Sequence, residues 1–169
     1  CCEMDKLNKL ARRYGLLIIE DAAQSLGSSY MGKKVGNWGD IGCFSTHPLK
    51  NLSCAGDGGF ITTNNPEIAD KLRMYRDHGQ REKGEFLCFG YNSRLDNLQA
   101  TILNIKFRGL EKSINKRRKI AQRYNQELSS LPLILPPAPS KGSFFDTFNS
   151  YVIRTDKQKE IFDFLRQRG

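Results

Sequence analysis

Gly15-Leu16-Leu17-Ile18-Ile19-Glu20-Asp21-Ala22-Ala23-Gln24 is the stretch on which the fold of this chain turns. Upstream of it, Met4, Leu7, Leu10 and Ala11 recur at helical steps, so Met4 to Tyr14 reads as an amphipathic helix, with Gly15 as its C-cap. Leu16 to Ile19 is then a short unbroken apolar run. After a helix, such a run reads as a buried parallel strand, because a strand covered on both faces has no reason to alternate. Helix followed by buried strand is the pattern of an open α/β sheet. Ligands of such sheets sit at the carboxyl ends of the strands, and that is where Asp21 falls.

Working outward, the bulk properties bound the answer. The chain has 169 residues, 38% hydrophobic and 27% charged, which is the composition of a globular domain with a core. No apolar run approaches the roughly 20 residues of a membrane span, and no basic-then-apolar leader opens the chain, so a cytoplasmic protein without a membrane partner is expected. The start at Cys1 and the stop at Gly169, where a helix is just closing, suggest a piece of a longer protein. The five cysteines form no CxxC pair, which points to reduced thiols. With only His47 and His78 besides, no zinc-ligand spacing occurs and no metal is expected. The net charge of +9 is concentrated in Lys106, Arg108, Lys112, Lys116, Arg117, Arg118, Lys119 and Arg123. A solvated helix face is the plain reading. An anionic small molecule is a second one, and nucleic acid is not expected, because no aromatic residues interleave as stacking platforms.

Gly27 to Gly39 reads as loops with a hairpin near Tyr30–Lys34, Ile41–Ser45 as a second strand and Gly59–Thr63 as a third. Asn65 caps a helix with Pro66 at its first position, running to about His78. Arg81 to Ser93 reads as a loop. Leu95 to about Ser129 is one long helical pattern, with Gly109 as a point of bending, and the four prolines between Leu131 and Pro139 form a boundary. Ser150–Arg154 reads as a strand, and Asp156 as the cap of a last helix from Lys157 to Gln167. The expected class is α/β: a partial large domain with a mostly parallel sheet (residues 1–94), a long connecting helix (95–130) and the beginning of a small α+β domain (131–169).

Between the second and third strands lies Phe44-Ser45-Thr46-His47-Pro48-Leu49-Lys50-Asn51-Leu52, followed by Gly56-Asp57-Gly58-Gly59. Singly, these residues have ordinary readings: a surface lysine, a helix-capping aspartate, a tight turn. Jointly they supply an amine able to form an imine, a hydroxyl able to hold a phosphate and a carboxylate able to keep a pyridine nitrogen protonated. That set suits pyridoxal 5'-phosphate (PLP), an electron sink for the carbanion left when an amino acid loses its alpha proton.

The set also resembles the DegT/DnrJ/StrS-type family of PLP-dependent sugar aminotransferases, of fold-type I. The resemblance rests on Glu20-Asp21-Ala22-Ala23-Gln24, Gly39-Asp40-Ile41-Gly42-Cys43-Phe44-Ser45, His47-Pro48-Leu49-Lys50-Asn51-Leu52, Gly56-Asp57-Gly58-Gly59, Asp77-His78-Gly79-Gln80 and Gly90-Tyr91-Asn92-Ser93-Arg94-Leu95-Asp96, in the family's order and spacing. It implies Lys50 as the catalytic lysine that carries the cofactor, Asp21 as partner of the pyridinium and Gln24 beside the ring near its phenolic oxygen. It further implies Ser45 on the phosphate, and Asn92 on the phosphate of the neighbouring subunit in a homodimer. His47 and Arg94 lie in the same motifs and are candidates for substrate binding or loop organisation, and His78 for a structural role. Members with histidine in place of the lysine are dehydratases, and Lys50 argues against that variant.

The implied reaction moves an amino group from L-glutamate to a nucleotide-linked keto-deoxysugar in amino-sugar, polysaccharide or antibiotic-sugar biosynthesis. Full members run to about twice this length, so a fragment of this extent is expected to hold PLP weakly or not at all. The alternative is a catalytically inactive fragment, or a regulatory or binding protein that keeps the fold.

Overall fold

In chain order the elements are α1 (Met4–Tyr14), β1 (Ile19–Asp21), β2 (Ser29–Tyr30), β3 (Lys33–Lys34), β4 (Ile41–Ser45), β5 (Gly59–Thr62), α2 (Pro66–Tyr75), α3 (Asn97–Phe107), α4 (Leu110–Glu127), β6 (Phe144–Phe145) and α5 (Gln158–Arg166). The computed structural model describes residues 1–140 and 142–169. Helix α1 ends where the sequence predicts. Gly15 takes a φ of 63°, which glycine reaches without a Cβ penalty, and the Leu16 N–H closes back onto the Ala11 carbonyl.

The strand that follows corrects the sequence reading. It begins at Ile19 rather than Leu16, and Leu16, Leu17 and Ile19 are 61%, 76% and 67% exposed. The strand is parallel but bordered on one side only: β1 pairs with β4 in the register Ile19–Ile41, Glu20–Gly42 and Asp21–Cys43, and its other edge carries no strand among the described residues. Of the apolar run, Leu16, Leu17 and Ile19 are therefore left uncovered among the described residues, while Ile18 is half-buried against Gly39. The third strand, β5, runs antiparallel to β4, so the β1-β4-β5 sheet holds one parallel and one antiparallel pairing. A second, antiparallel sheet has the order β3-β2-β6. The β2–β3 hairpin turns through Met31 and Gly32, with φ of 46° and 79°, the positive pair that a two-residue type I′ turn requires.

Glu20 is the hinge between strand and loop. It is buried, and its carboxylate accepts from three backbone N–H groups: Gly36 at 2.8 Å, Trp38 at 2.7 Å and Gly39 at 2.7 Å. This fastens the loop before β4 against β1. The approach is close enough that a Cβ on Gly36, itself at φ +82°, meets the Phe44 ring, and one on Gly42 meets Gly36. Phe44 stacks on Phe60 with ring centroids 4.7 Å apart.

The single helix expected over 95–130 is two. Helix α3 ends at Phe107 and α4 begins at Leu110, with Gly109 between them. The break lets two apolar phases be satisfied: Leu103 is buried with Leu52 and Cys54, while Ile114 is buried against Gly27. Four of the eight basic residues of this stretch are engaged internally. Lys106 donates to Ser53, Arg117 to the Asn149 carbonyl and Arg118 to the Asp146 and Ser140 carbonyls, while Arg123 pairs with Glu127.

Helix α2 forms on its expected cap, with Asn65 Oδ1 accepting from the Glu67 and Ile68 N–H groups, and stops at Tyr75. Toward the C-terminus two expectations are corrected. Ser150–Arg154 forms no strand, only an isolated bridge between Arg154 and Ile134. Asp156 does not cap the last helix: Lys157 occupies the N-cap position, and Thr155 Oγ1 accepts the Lys157 N–H instead. The strand actually made is β6, which pairs with β2 more than a hundred residues earlier, so no local pattern announces it.

Tyr30 on β2 donates its hydroxyl to Asp5 on α1 at 2.8 Å, tying hairpin to helix. That bond pushes the phenol up to about 12 and holds the Asp5 carboxyl below its ordinary 3.8. The raised phenol contributes stability in full below its ordinary value of 10.0 and loses it as pH rises toward about 12. The lowered carboxyl contributes above 3.8 and loses its share as pH falls through its folded value. Tyr30→Phe in the full-length protein is thus expected to lower the thermal midpoint at pH 7, with the gap to the parent closing below about pH 4. Equal midpoints at pH 7 would show the bond to be idle.

Candidate active site

Residues in register across two parallel strands share a face of the sheet. Asp21 is in register with Cys43, and Ser45 lies two residues beyond, so Asp21, Cys43 and Ser45 face one way and Glu20 and Phe44 the other. The Ala22 N–H continues the ladder onto the Cys43 carbonyl at 2.8 Å. Asp21 is exposed; one carboxylate oxygen accepts from the Ala23 N–H at 3.1 Å and the other has no hydrogen-bond partner among the described residues. Gln24 follows in the same turn with its side chain exposed.

Ser45 ends β4 and starts a chain of short-range hydrogen bonds. Its Oγ accepts from the His47 N–H at 3.3 Å, the His47 carbonyl accepts from the Lys50 N–H at 2.9 Å, and His47 Nδ1 accepts from the Leu49 N–H at 3.2 Å. His47 Nδ1 is thereby spent on the turn, which leaves only Nε2 for any other partner. Lys50 stands at the end of this turn, half-buried, and makes no ion pair or side-chain hydrogen bond among the described residues.

The loop that carries Lys50 is closed at its base. Thr46, fully buried, donates its N–H to the Gly58 carbonyl at 2.8 Å and accepts at its own carbonyl from the Cys54 N–H at 2.9 Å. The Cys54 thiol, 2% exposed, lies 3.0 Å from the Thr46 and Gly56 carbonyls. A Cβ on Gly58 would strike Thr46 Oγ1 at 2.6 Å, which is why glycine stands there. Leu52 and Cys54 pack on Leu103, and the Ala55 N–H reaches Gln99 Oε1 at 2.8 Å, so α3 supports the loop from below. The flexible-looking stretch from Thr46 to Gly58 is therefore a fixed platform for one amine.

Asn92 and Arg94 come from a later segment, between α2 and α3. Their segment is strung along the end of α2 by the Tyr91 N–H on the Tyr75 carbonyl and the Ser93 N–H on the Arg76 carbonyl. Asn92 bridges Asp77, and Arg94 Nη1 stands 3.6 Å from Asp77 Oδ1. Both side chains are exposed, and no hydrogen bond among the described residues joins them to Lys50. Asp21, Gln24, Ser45, His47 and Lys50 come from one sheet end and its loops, while Asn92 and Arg94 come from the segment held along the end of α2.

Sequence reasoning missed Glu20, Thr46 and Cys54 as the residues that shape this site. Glu20 carries a readable signal. If Asp21 faces a ligand, its neighbour on the strand faces the interior, and a buried carboxylate must find donors. Thr46 and Cys54 carry none, since their roles depend on loop closure.

The sequence pattern of the DegT/DnrJ/EryC1/StrS aminotransferase family matches residues 1–169. The chain is 41% identical to a pleiotropic regulatory protein of Geobacillus stearothermophilus, over 99% of this chain and 45% of that one. It is 39% identical to the dTDP-3-amino-3,4,6-trideoxy-alpha-D-glucose transaminase of Streptomyces venezuelae, over 99% of this chain and 44% of that protein. Among solved structures it superimposes on S. venezuelae DesV, crystallised in complex with a ketimine intermediate, with a TM-score of 0.93 at 38% identity, covering 99% of this chain and 45% of that one. The chain thus spans less than half the length of the curated relatives it matches. With the motif pattern matched from end to end and the fold shared at this level, the chain belongs to the DegT/DnrJ/EryC1/StrS aminotransferase family.

Proposed function

We propose that this chain is the central piece of a PLP-dependent aminotransferase that moves an amino group from L-glutamate to a nucleotide-linked keto-deoxysugar. In this reading residues 1–94 belong to the cofactor-binding domain, 95–130 connect, and 131–169 open the small domain of a cytoplasmic homodimer. The observation that carries it is a carboxylate and a hydroxyl on one face at the carboxyl end of the β1/β4 pair, followed in the next loop by an amine that makes no ion pair or hydrogen bond among the described residues.

That donor set suits the cofactor. Asp21, with one oxygen open, would hold the pyridinium nitrogen and keep it protonated. Ser45 would contribute its hydroxyl to the phosphate, and Gln24 would lie beside the ring. Lys50 would bind the aldehyde carbon through Nζ and afterwards accept and return the substrate's proton at the same atom. Bound PLP would supply the electron sink that makes that proton acidic. Asn92, exposed on this chain, is proposed to serve the partner subunit's cofactor, and Arg94 and His47 to organise the substrate entrance.

The test is an assay of the full-length protein with L-glutamate and a panel of dTDP- and UDP-linked keto-sugars. Formation of 2-oxoglutarate with at least one sugar is expected. The likeness to a pleiotropic regulatory protein favours a second reading, a regulator on the same fold. A full-length protein that binds PLP yet turns over none of the panel would favour that reading over the first.

A further inference from the structure

The loop that bears Lys50 is tied to the far end of the chain by buried polar groups. Asn51, the next residue, donates from Nδ2 to Thr147 Oγ1 at 2.8 Å. Thr147 is 1% exposed and shares a 3.2 Å hydrogen bond with the hydroxyl of Ser28, itself 2% exposed; the Thr147 N–H also reaches Ser28 Oγ at 3.2 Å. Asn51 Nδ2 stands 3.5 Å from the Leu26 carbonyl as well, and Asn51 Oδ1 is buried with no hydrogen-bond partner among the described residues. Two hydroxyls and an amide thus meet where the turn before β2, the lysine loop and the segment after β6 converge.

Hydroxyls placed this deeply are costly unless each makes its bonds, so their use here calls for a reason that apolar packing does not serve. A methyl contact limits approach, whereas a hydrogen bond fixes direction as well. The bonds leave Asn51 little rotational freedom, and its backbone is continuous with the Lys50 turn. We propose that Thr147, acting through Asn51, is a positioning residue for Lys50. The proposal rests on the aminotransferase reading. It adds to that reading that a residue beyond β6, outside every motif of the site, sets the direction from which the amine approaches its target.

The test uses Thr147→Val in the full-length protein. Valine keeps the methyl that faces Gly27 and deletes the hydroxyl. Hydrogen exchange of the PLP-free protein is expected to rise at residues 47–52 while the β4 and β5 amides keep their protection. In the loaded enzyme kcat is expected to fall about tenfold with KM for both substrates unchanged, because a slightly misplaced amine weakens the reacting geometry rather than binding. Thr147→Ser, which restores the hydroxyl, should recover both readouts. Should Thr147→Val not fold, Asn51→Ala breaks the same link from the loop side and leaves the Ser28–Thr147 pair intact; the same two changes are expected. Unchanged exchange at 47–52, or a uniform rise across the protein with kcat kept within twofold, overturns the proposal. Should Lys50→Ala itself retain full turnover, the aminotransferase reading fails; should Lys50→Ala lose turnover while Thr147→Val changes nothing, only the positioning role fails.

Discussion

Lys50→Ala in the full-length protein is expected to lower transamination at least about a thousandfold, with the thermal midpoint of the PLP-free protein nearly unchanged. The two halves of this expectation have separate grounds. Activity falls because in the proposed reaction one atom, Nζ, has two tasks, covalent capture of the cofactor and transfer of the substrate proton, and alanine would perform neither. Stability holds because the side chain spends nothing on the fold: it makes no hydrogen bond or ion pair among the described residues and is half-buried. Its neighbours are different. Asn51 is bonded to Thr147, and Leu52 and Cys54 are buried against Leu103, so alanine at those positions costs stability as well as rate. Lys50→Arg sharpens the test. It retains the positive charge and most of the length but not a nucleophilic amine, so it should be as inactive as the alanine variant. Turnover by either variant within tenfold of the parent would mean that the amine is not the reacting group.

What the sequence makes legible here is local, and what it hides is long-range. Gly15, the Asn65-Pro66 pair and the Tyr30–Lys34 hairpin were readable because each is decided by the backbone needs of a few adjacent residues. Asp21, Ser45 and Lys50 can be singled out by chemical type and spacing; the shared face of Asp21 and Ser45 follows from the β1–β4 pairing, while Lys50 stands in the loop after β4. The apolar run at Leu16–Ile19 misleads because burial belongs to the partner as much as to the strand, and β1 has no partner on its outer edge among the described residues. Helical periodicity across Leu95–Ser129 was real, yet it could not show that Leu103 and Ile114 answer to different neighbours and so require the break at Gly109. Strand β6, and Thr147 after it, had no signature at all, since their partners Tyr30, Ser28 and Asn51 lie about a hundred residues away.

Glu20→Ala is expected to cost about 3–5 kcal/mol of unfolding free energy in the full-length protein, a large effect for a residue that touches no ligand. Its carboxylate serves three donors at once, with Oε1 taking the Trp38 and Gly39 N–H groups and Oε2 taking that of Gly36. Bonds to an ionised acceptor are stronger than neutral ones, and each donor left unpaired in a buried site adds its own desolvation cost. Glu20→Gln separates these contributions. Turned so that its oxygen takes the place of Oε1, the amide keeps two donors but points its NH₂ at the Gly36 N–H, two donors facing each other. A loss of about 2 kcal/mol is therefore expected, between parent and alanine. The loop has little room to adapt. Gly36 lies against Phe44 and Gly42, and Gly39 against the Ile18 carbonyl, so the 36–39 backbone cannot move inward to replace the lost acceptor. It must open outward, and amide exchange should accelerate at Gly36, Trp38 and Gly39 before it does so in β4. The consequence reaches the site through the sheet, because Phe44, released from Gly36, immediately precedes Ser45. Urea unfolding gives the free energies and exchange gives their location. If Glu20→Ala unfolds within about 1 kcal/mol of the parent, the three bonds do not hold the loop before β4 to β1.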